Sequence, residues 1–334
     1  MKFGKIKKIV LIGGGYLLYH FAKESKKKFD IDIIIGPRHK NQKILGNKTL
    51  GNLVKNLGKS YFIKDLNEKF IKKNYNNNDG ILFLSFDSPW IFKKEIVKKY
   101  FFNKLINSHS TRLPQNRGGG GFTWRILNQD KLGFCSLHLI DSDKIDSGDI
   151  IMVDEFIFPY KLSKPIEYEE FQQKKEFDFQ KKFLKKISKN QEFKLLSQPN
   201  YLSTYFPRLS TNDNGWIDWS LKIESLFNFI SAFDNPYQGA STYYKKNLVR
   251  LKNVNLTKSD QIFHPYQYGI IYRKSKDFFL VGCNQGSLIV TEILDKNGKN
   301  IFNDIRLGDR LFTPLNKLDS SKDRIYYDSK GKKN

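Results

Sequence analysis

The first 190 residues repeat one pattern: a short unbroken apolar run, a turn, then a segment with apolar residues at helical spacing. "KIVLIGGGYLLYHFAKES" reads as a buried strand, a glycine turn and a helix, and "FDIDIIIGP" from Phe29 to Pro37 supplies the next strand. The stretch "LGNLVKNLGKSYFIKDLNEKFIKKNY" reads as helix, short strand and helix; "GILFLSFDS" is another apolar run, "KKEIVKKYF" a helix and "KLINSHS" a further strand. Strands that alternate with helices are joined by crossovers, and crossovers make parallel neighbours. The pattern therefore predicts an α/β fold with a doubly wound, mainly parallel sheet.

The charged segment "EYEEFQQKKEFDFQKKFLKKISK", Glu167 to Lys189, has helical spacing and is expected to close this first domain. After "LLSQPNYLSTYFPRLS" the texture changes. One helix-like segment, "SLKIESLFNFISAF", precedes the alternating runs "GIIYRK", "DFFLVGC" and "SLIVTEI", which predict a smaller β-rich, OB-like domain. The expected organisation is residues 1–205, residues 206–315, and a frayed polar tail over residues 316–334. No internal repeat is visible.

With 334 residues, 39% hydrophobic and 15% aromatic, the chain can bury a substantial core. No run approaches about 18 apolar residues, so no membrane span is expected. The opening residues lack the longer apolar region of a secretory signal. Cys135 and Cys283 lie far apart in apolar surroundings, which points to neither a disulfide framework nor a metal site, and to a reducing cytoplasm. The net charge of +24 invites a polyanionic partner. It comes mostly from lysines scattered along a chain also rich in Asn and Ile, as AT-rich coding would produce, so it selects no partner by itself.

Two glycine clusters stand out. Gly13-Gly14-Gly15 follows a strand and precedes a helix, but Leu18 stands where a third dinucleotide-binding glycine belongs, and Asp32 alone is poor support for a ribose contact. A tight turn explains it. The second cluster, Gly118 to Gly121, follows "INSHSTRLPQNR". There Asn107 and His109 share one face of a strand, because strand side chains alternate with period 2. They fall at the strand's carboxyl end, where open α/β sheets bind ligands. A histidine there can act as acid or base, and an asparagine amide can donate to a developing oxyanion. A third partner is expected in "SLHLIDSDKIDSGDII", since a carboxylate beside His109 would fix its tautomer. The spacing of Asp141, Asp143, Asp146 and Asp149 lacks the EF-hand positions.

Asn107-Ser-His109, Leu113-Pro114 with Arg117-Gly118, and Ile145-Asp146-Ser147-Gly148-Asp149-Ile150 together resemble the signature of the folate-dependent formyltransferases, with its N-x-H, L-P-x-x-R-G and I-D-x-G-D-I elements in the same order. The segment "TYFPRLSTNDNGWIDWSLKIESLFNFISAFDNPYQGASTY" is similar to the link and start of the C-terminal domain in members acting on nucleotide-linked amino sugars or on methionyl-tRNA. The resemblance implies that Asn107 stabilises the oxyanion formed when an amine attacks the formyl carbon of N10-formyltetrahydrofolate, that His109 carries the proton, and that Asp146 supports it. It places the pterin against Trp90, Ile91 and Phe92 and against Asp141, Ser142, Asp143, Lys144 and Ile145, although Trp90 and Phe92 could equally be core aromatics. It places the acceptor against Gly13, Arg117, Gly119 and Gly120.

Three features depart from the family pattern. His138 to Asp146 is one residue longer than usual. Glycines fill Gly118 to Gly121, leaving room for a bulky substrate or a mobile loop. The tail beyond about Phe312 has no counterpart.

The words "TYFPRLS", "GWIDW" and "NPYQGASTY" stand nearer to the sugar-type members, so a nucleotide-linked amino sugar is the expected acceptor. Methionyl-tRNA is the alternative, supported by the basic charge, while "IIGPRHKNQKILGNKT" only loosely matches the basic insertion of the tRNA enzymes. A non-catalytic binding protein would be expected to lack one of Asn107, His109 and Asp146; a hydrolase releasing formate would retain them. Aromatic residues in the C-terminal half suggest a homodimer.

Overall fold

The protein is described by a computed structural model covering residues 1–119, 121–141, 144–258, 261–328 and 331–333. Its larger sheet has seven strands, in spatial order Ile150–Ile157, Leu132–Leu139, Leu105–His109, Ile81–Phe86, Lys8–Gly13, Asp30–Ile35 and Lys59–Phe62. The last five in that order are parallel, and Leu132–Leu139 runs antiparallel to both its neighbours. Alternate residues of Lys8–Gly13 enter different cores: Ile9 and Leu11 pack on one face, Val10 and Ile12 on the other. Both faces are covered, so the strand is apolar throughout, with each buried side chain contributing about 1.5–3 kcal/mol.

The chain leaves Lys8–Gly13 toward one edge and returns to Ile81–Phe86 on the opposite side. The carboxyl ends of these two strands are therefore the topological switch, the place where connections diverge and a crevice opens. Helix Pro165–Ser188 begins slightly earlier than its spacing predicts, because Pro165 suits a first helical turn and the Glu167 carboxylate accepts from the N–H groups of Ser163 and Lys164 at 2.8 and 3.1 Å.

The second sheet has six antiparallel strands in the order Ile271–Lys274, Phe279–Cys283, Gly286–Asp295, Asn247–Thr257, Ala240–Tyr244 and Leu311–Phe312. It packs on helix Ile223–Ala232, and its core also takes in Ile126, Phe158 and Tyr168, which precede residue 205 in the chain. Among the described residues no helix is long and apolar enough to cross a membrane.

The expected frayed tail is instead structured over its described part. It forms helix Leu315–Ser320 and a two-stranded ladder pairing Tyr327 with Lys332 and Asp328 with Gly331. The buried Asn214 holds the tail, donating through Nδ2 to the carbonyls of Ser321 at 2.8 Å and Asp323 at 3.1 Å. Composition could not show this, because the anchoring is made to backbone carbonyls, which every residue carries.

Candidate active site

At the switch point lies a cavity of about 620 Å³, whose wall includes Gly14, Gly15, Asp87, Asn107, His109 and Asp146. The glycine turn shapes one end. Gly13 has φ +119°, and a Cβ there would stand 1.9 Å from the Phe86 carbonyl oxygen; Gly14 faces the buried His39 ring, which a Cβ would meet at 2.2 Å. The first glycine thus allows close approach of the two central strands and is not on the cavity wall, contrary to the sequence expectation for Gly13. Gly14 and Gly15 line the cavity in its place.

Asn107 and His109 do lie on one face at the end of their strand. Asn107 is directly opposite His138 of the neighbouring antiparallel strand. His138 Nδ1 lies 2.9 Å from the Leu139 carbonyl oxygen, so that nitrogen carries the proton and Nε2 is the acceptor. Asn107 Nδ2 donates to this Nε2 at 3.1 Å and, over a longer 3.4 Å, to Asp146 Oδ1. The histidine tautomer therefore decides which way the Asn107 amide faces.

Asp146 joins the pair from its loop. Its Oδ1 is 3.4 Å from His138 Nε2, its Oδ2 is 3.7 Å from His109 Nδ1, and the Gly118 N–H donates to Oδ2 at 2.9 Å. The residue has φ +50°, a left-handed conformation uncommon for a side-chain-bearing residue, and the carboxylate contacts hold it there. Burial alone would raise its pKa. The positive charge at His109, together with the Gly118 N–H, outweighs burial and holds the carboxyl well below the usual range. The additional residue between His138 and Asp146 does not prevent these contacts.

The other side of His109 is also fixed. Its Nε2 donates to the Asn116 carbonyl at 2.9 Å and lies 2.6 Å from Thr111 Oγ1, whose own proton goes to the same carbonyl at 2.7 Å. With a carboxylate near one ring nitrogen and a carbonyl at the other, the imidazolium form has an acceptor on both sides. Next along the chain, Ser110 Oγ donates at 2.9 Å to Glu176 Oε1, which also accepts from Gln172 Nε2 at 3.1 Å. Glu176 is fully buried and its Oε2 has no partner, and this burial pushes its carboxyl up to about 7, against the opposing pull of the Ser110 and Gln172 hydrogen bonds.

Trp90, Ile91 and Phe92 line the cavity from the loop after Ile81–Phe86, as do Lys144 and Ile145. Phe92 is also part of a core cluster, so its two readings coexist; Ile91 is 71% exposed. Asp141 does not line the cavity; it sits at the start of the loop, with its Oδ1 near Gly148. Ser142, Asp143 and Gly120 lie outside the described residues.

Arg117 is a second correction. It is buried, and its guanidinium is spent on Gln198 Oε1 at 3.3 and 3.4 Å and on Asn200 Oδ1 at 3.0 Å, away from the cavity. The glycines after it are not open space either. A Cβ at Gly118, φ +98°, would stand 2.3 Å from the Phe206 carbonyl oxygen, and one at Gly119 would stand 2.9 Å from Arg208 Cβ. Tyr205–Phe206 forms a short parallel pair with Arg117–Gly118, so these glycines accommodate the interdomain link. Gly119 retains its expected place on the cavity wall.

No metal site was expected from residue spacing, yet His109, His138 and Asp146 each bring a ligand atom to within 4.8 Å of the others. No other such group of three occurs among the described residues. The hydrogen bonds above account for these atoms without an ion.

Residues 209–303 match the family described as "Formyl transferase, C-terminal domain". Over this segment the chain is similar to the C-terminal domain of the formyltransferases. A methionyl-tRNA formyltransferase of Acetivibrio thermocellus is 26% identical over 191 residues, 56% of this chain and 58% of that one. The match thus spans a little over half of that curated relative. The bifunctional polymyxin resistance protein ArnA of Wigglesworthia glossinidia brevipalpis is 26% identical over 71% of this chain and 37% of its own length. Among solved structures, the sugar 3N-formyl transferase WlaRD, determined with dTDP and 5-N-formyl-THF, superposes with TM-score 0.64 at 20% identity, covering 86% of this chain and 97% of that one. An N-formyltransferase from Helicobacter canadensis, complexed with folinic acid and dTDP-3-aminofucose, gives TM-score 0.63 at 20% identity, covering 86% and 99%. These structures share the fold of this chain, including the doubly wound sheet and the antiparallel C-terminal sheet.

Proposed function

We propose that this chain transfers the formyl group of N10-formyltetrahydrofolate to the amine of a nucleotide-linked amino sugar. The observation that carries the reading is the assembly of Asn107, His109 and Asp146, from two separate segments, on the wall of the cavity at the switch point. The acceptor class rests on the structural likeness, which extends over nearly the whole of two sugar N-formyltransferases, whereas the similarity to the Acetivibrio tRNA enzyme spans little more than half of it. A cavity of about 620 Å³ is of small-molecule size.

In this reading the acceptor nitrogen attacks the formyl carbon. The new C–N bond forms and the carbonyl oxygen takes negative charge. Asn107 Nδ2, oriented by His138, offers that oxygen the hydrogen now weakly placed on Asp146. His109 takes the proton that the attacking ammonium must lose and returns it to N10 as the C–N10 bond breaks, so atoms and charge balance. Asp146 stabilises the transient imidazolium from 3.7 Å. Trp90, Ile91 and Phe92 supply the apolar side of the folate site, together with the loop of Lys144 and Ile145. Placement of the chain in the cytoplasm would match the supply of both small molecules.

The second reading, transfer to methionyl-tRNA, is favoured by the curated tRNA-enzyme relatives and the +24 charge. Release of tetrahydrofolate, followed with dTDP-linked 3-amino and 4-amino sugars and with charged initiator tRNA in parallel, separates the two. Turnover with a sugar alone supports the first reading; turnover with tRNA alone replaces it with the second; formate release without an acceptor removes both.

A further inference from the structure

The C-terminal tail lies beyond the region matched to the family, yet it reaches the cavity through one residue. Arg208 is on the cavity wall with Asp87, whose carboxylate feels its charge but is itself paired with Arg38 and His39; among the described residues Arg208 makes no hydrogen bond or ion pair. Its guanidinium carbon stands 5.0 Å over the Tyr327 ring. Tyr327 is itself placed by the Asn214 anchors on Ser321 and Asp323 and by its ladder pairing with Lys332, and its hydroxyl adds only a long 3.4 Å contact to the Leu209 carbonyl. Beside it Arg324 donates to the Tyr205 hydroxyl at 3.1 Å, and Lys332 pairs with Asp213 at 2.6 Å. The tail thus grips the link on both sides of Arg208.

An exposed guanidinium with every donor unspent is a ready partner for a phosphate or carboxylate, because its planar fork can give two parallel hydrogen bonds. The aromatic face uses none of those donors. It restricts the side chain by a cation–π contact and leaves the fork free. A carboxylate in Tyr327's place would neutralise Arg208; an aliphatic chain would let it wander.

Resting on the reading above, we propose that Tyr327 is a positioning residue that holds Arg208 to receive the diphosphate of the acceptor, so that the C-terminal tail forms part of the acceptor site. The chemistry recognised is a compact dianion at the cavity mouth. A nucleoside diphosphate carries it, and the folate glutamyl carboxylates are the competing source.

The test is calorimetric titration of dTDP and, separately, of 5-formyltetrahydrofolate into the full-length protein and its Tyr327→Phe, Tyr327→Leu and Arg208→Ala variants. Tyr327→Phe retains the aromatic face and binds dTDP as the parent does. Tyr327→Leu retains bulk and loses the face, and is expected to weaken dTDP about fivefold, the equivalent of a cation–π contact of about 1 kcal/mol. Arg208→Ala weakens it by about tenfold or more, and folate affinity stays within about twofold throughout. With turnover established, Tyr327→Leu raises the KM of the acceptor and leaves kcat unchanged. Equal dTDP affinity in the parent and Tyr327→Leu overturns the proposal, as does loss of folate affinity in place of dTDP affinity, or an absence of dTDP binding by the parent at millimolar concentration. Because dTDP binding needs no turnover, failure of the formyl-transfer reading shows separately, as an inactive protein that still binds dTDP.

Discussion

Replacing Glu176 by Gln should reshape the stability of this protein against pH. The carboxyl is fully buried between Ser110 and Gln172, without a cation, and its pKa rises from an ordinary 4.5 to about 7 through burial. The native state therefore keeps a proton that the unfolded chain releases. Stability from this group is full below about 4.5, falls as pH rises toward 7, and levels off above. At about 1.4 kcal/mol per pH unit, the gap amounts to roughly 3 kcal/mol. Glutamine keeps the shape and cannot ionise; its carbonyl can accept from Ser110, and its amide can donate to Gln172 Oε1, which is buried without a partner. Urea denaturation of both proteins at intervals from pH 4.5 to 8 gives the difference in unfolding free energy at each pH, in which groups common to both cancel. The difference should move in favour of Glu176→Gln by roughly 3 kcal/mol across that range. Asp146 does not interfere, because its depressed carboxyl contributes stability that is lost only as pH falls below its ordinary value of 3.8. Parallel curves would refute the reasoning and mean that Glu176 is ionised in the folded protein at neutral pH.

Three further outcomes are expected. His109→Asn should abolish formyl transfer in a protein that still unfolds cooperatively, read by tetrahydrofolate release beside a thermal scan; full turnover would remove His109 from the mechanism. Asp146→Asn should cost about 10²–10⁴ in kcat, because the imidazolium loses its counter-charge; a rate within a factor of two of the parent would show that His109 needs no support. Exhaustive treatment with a chelator should leave turnover intact, while added zinc should inhibit by occupying the His109, His138 and Asp146 ligand atoms that lie within 4.8 Å of one another; loss of activity on chelation, restored by metal, would reverse that assignment.

The fold was legible because its determinants are local. Ile9 to Ile12 form an unbroken apolar run because both faces of their strand are covered, and such a run before a glycine turn has few other uses. The pairing of Asn107 with His109 was equally local, a matter of strand periodicity. His138 was not singled out, since it sits in an apolar strand and its role follows from register: only the antiparallel pairing brings it opposite Asn107. Had the strands been aligned at Ser85, Asn107 and His138, a polar row crossing three strands would have marked the site. Glu176 offered a weaker signal, as one more acidic residue in a charged helix. Its burial is a tertiary fact.

Arg117 and the glycines beside it show why motif residues are easily assigned to a ligand when the protein itself is the partner. Gly118 must lack a side chain because Phe206 occupies the space, and its N–H can then reach Asp146. Arg117 fixes the same link from beneath through Gln198 and Asn200. The link carries Arg208 to the cavity, and the tail secures the link. The glycine run therefore acts through the covalent structure around the cavity: a bulkier residue at Gly119 would displace Arg208 and the Phe206 pairing together. A Gly119→Val variant tests that chain of contacts. Displacement of the link would lower dTDP affinity while leaving the hydrogen bonds of Asn107 and His138 in place, whereas blockage of a substrate channel at Gly119 would impair transfer to the sugar amine and leave dTDP affinity unchanged.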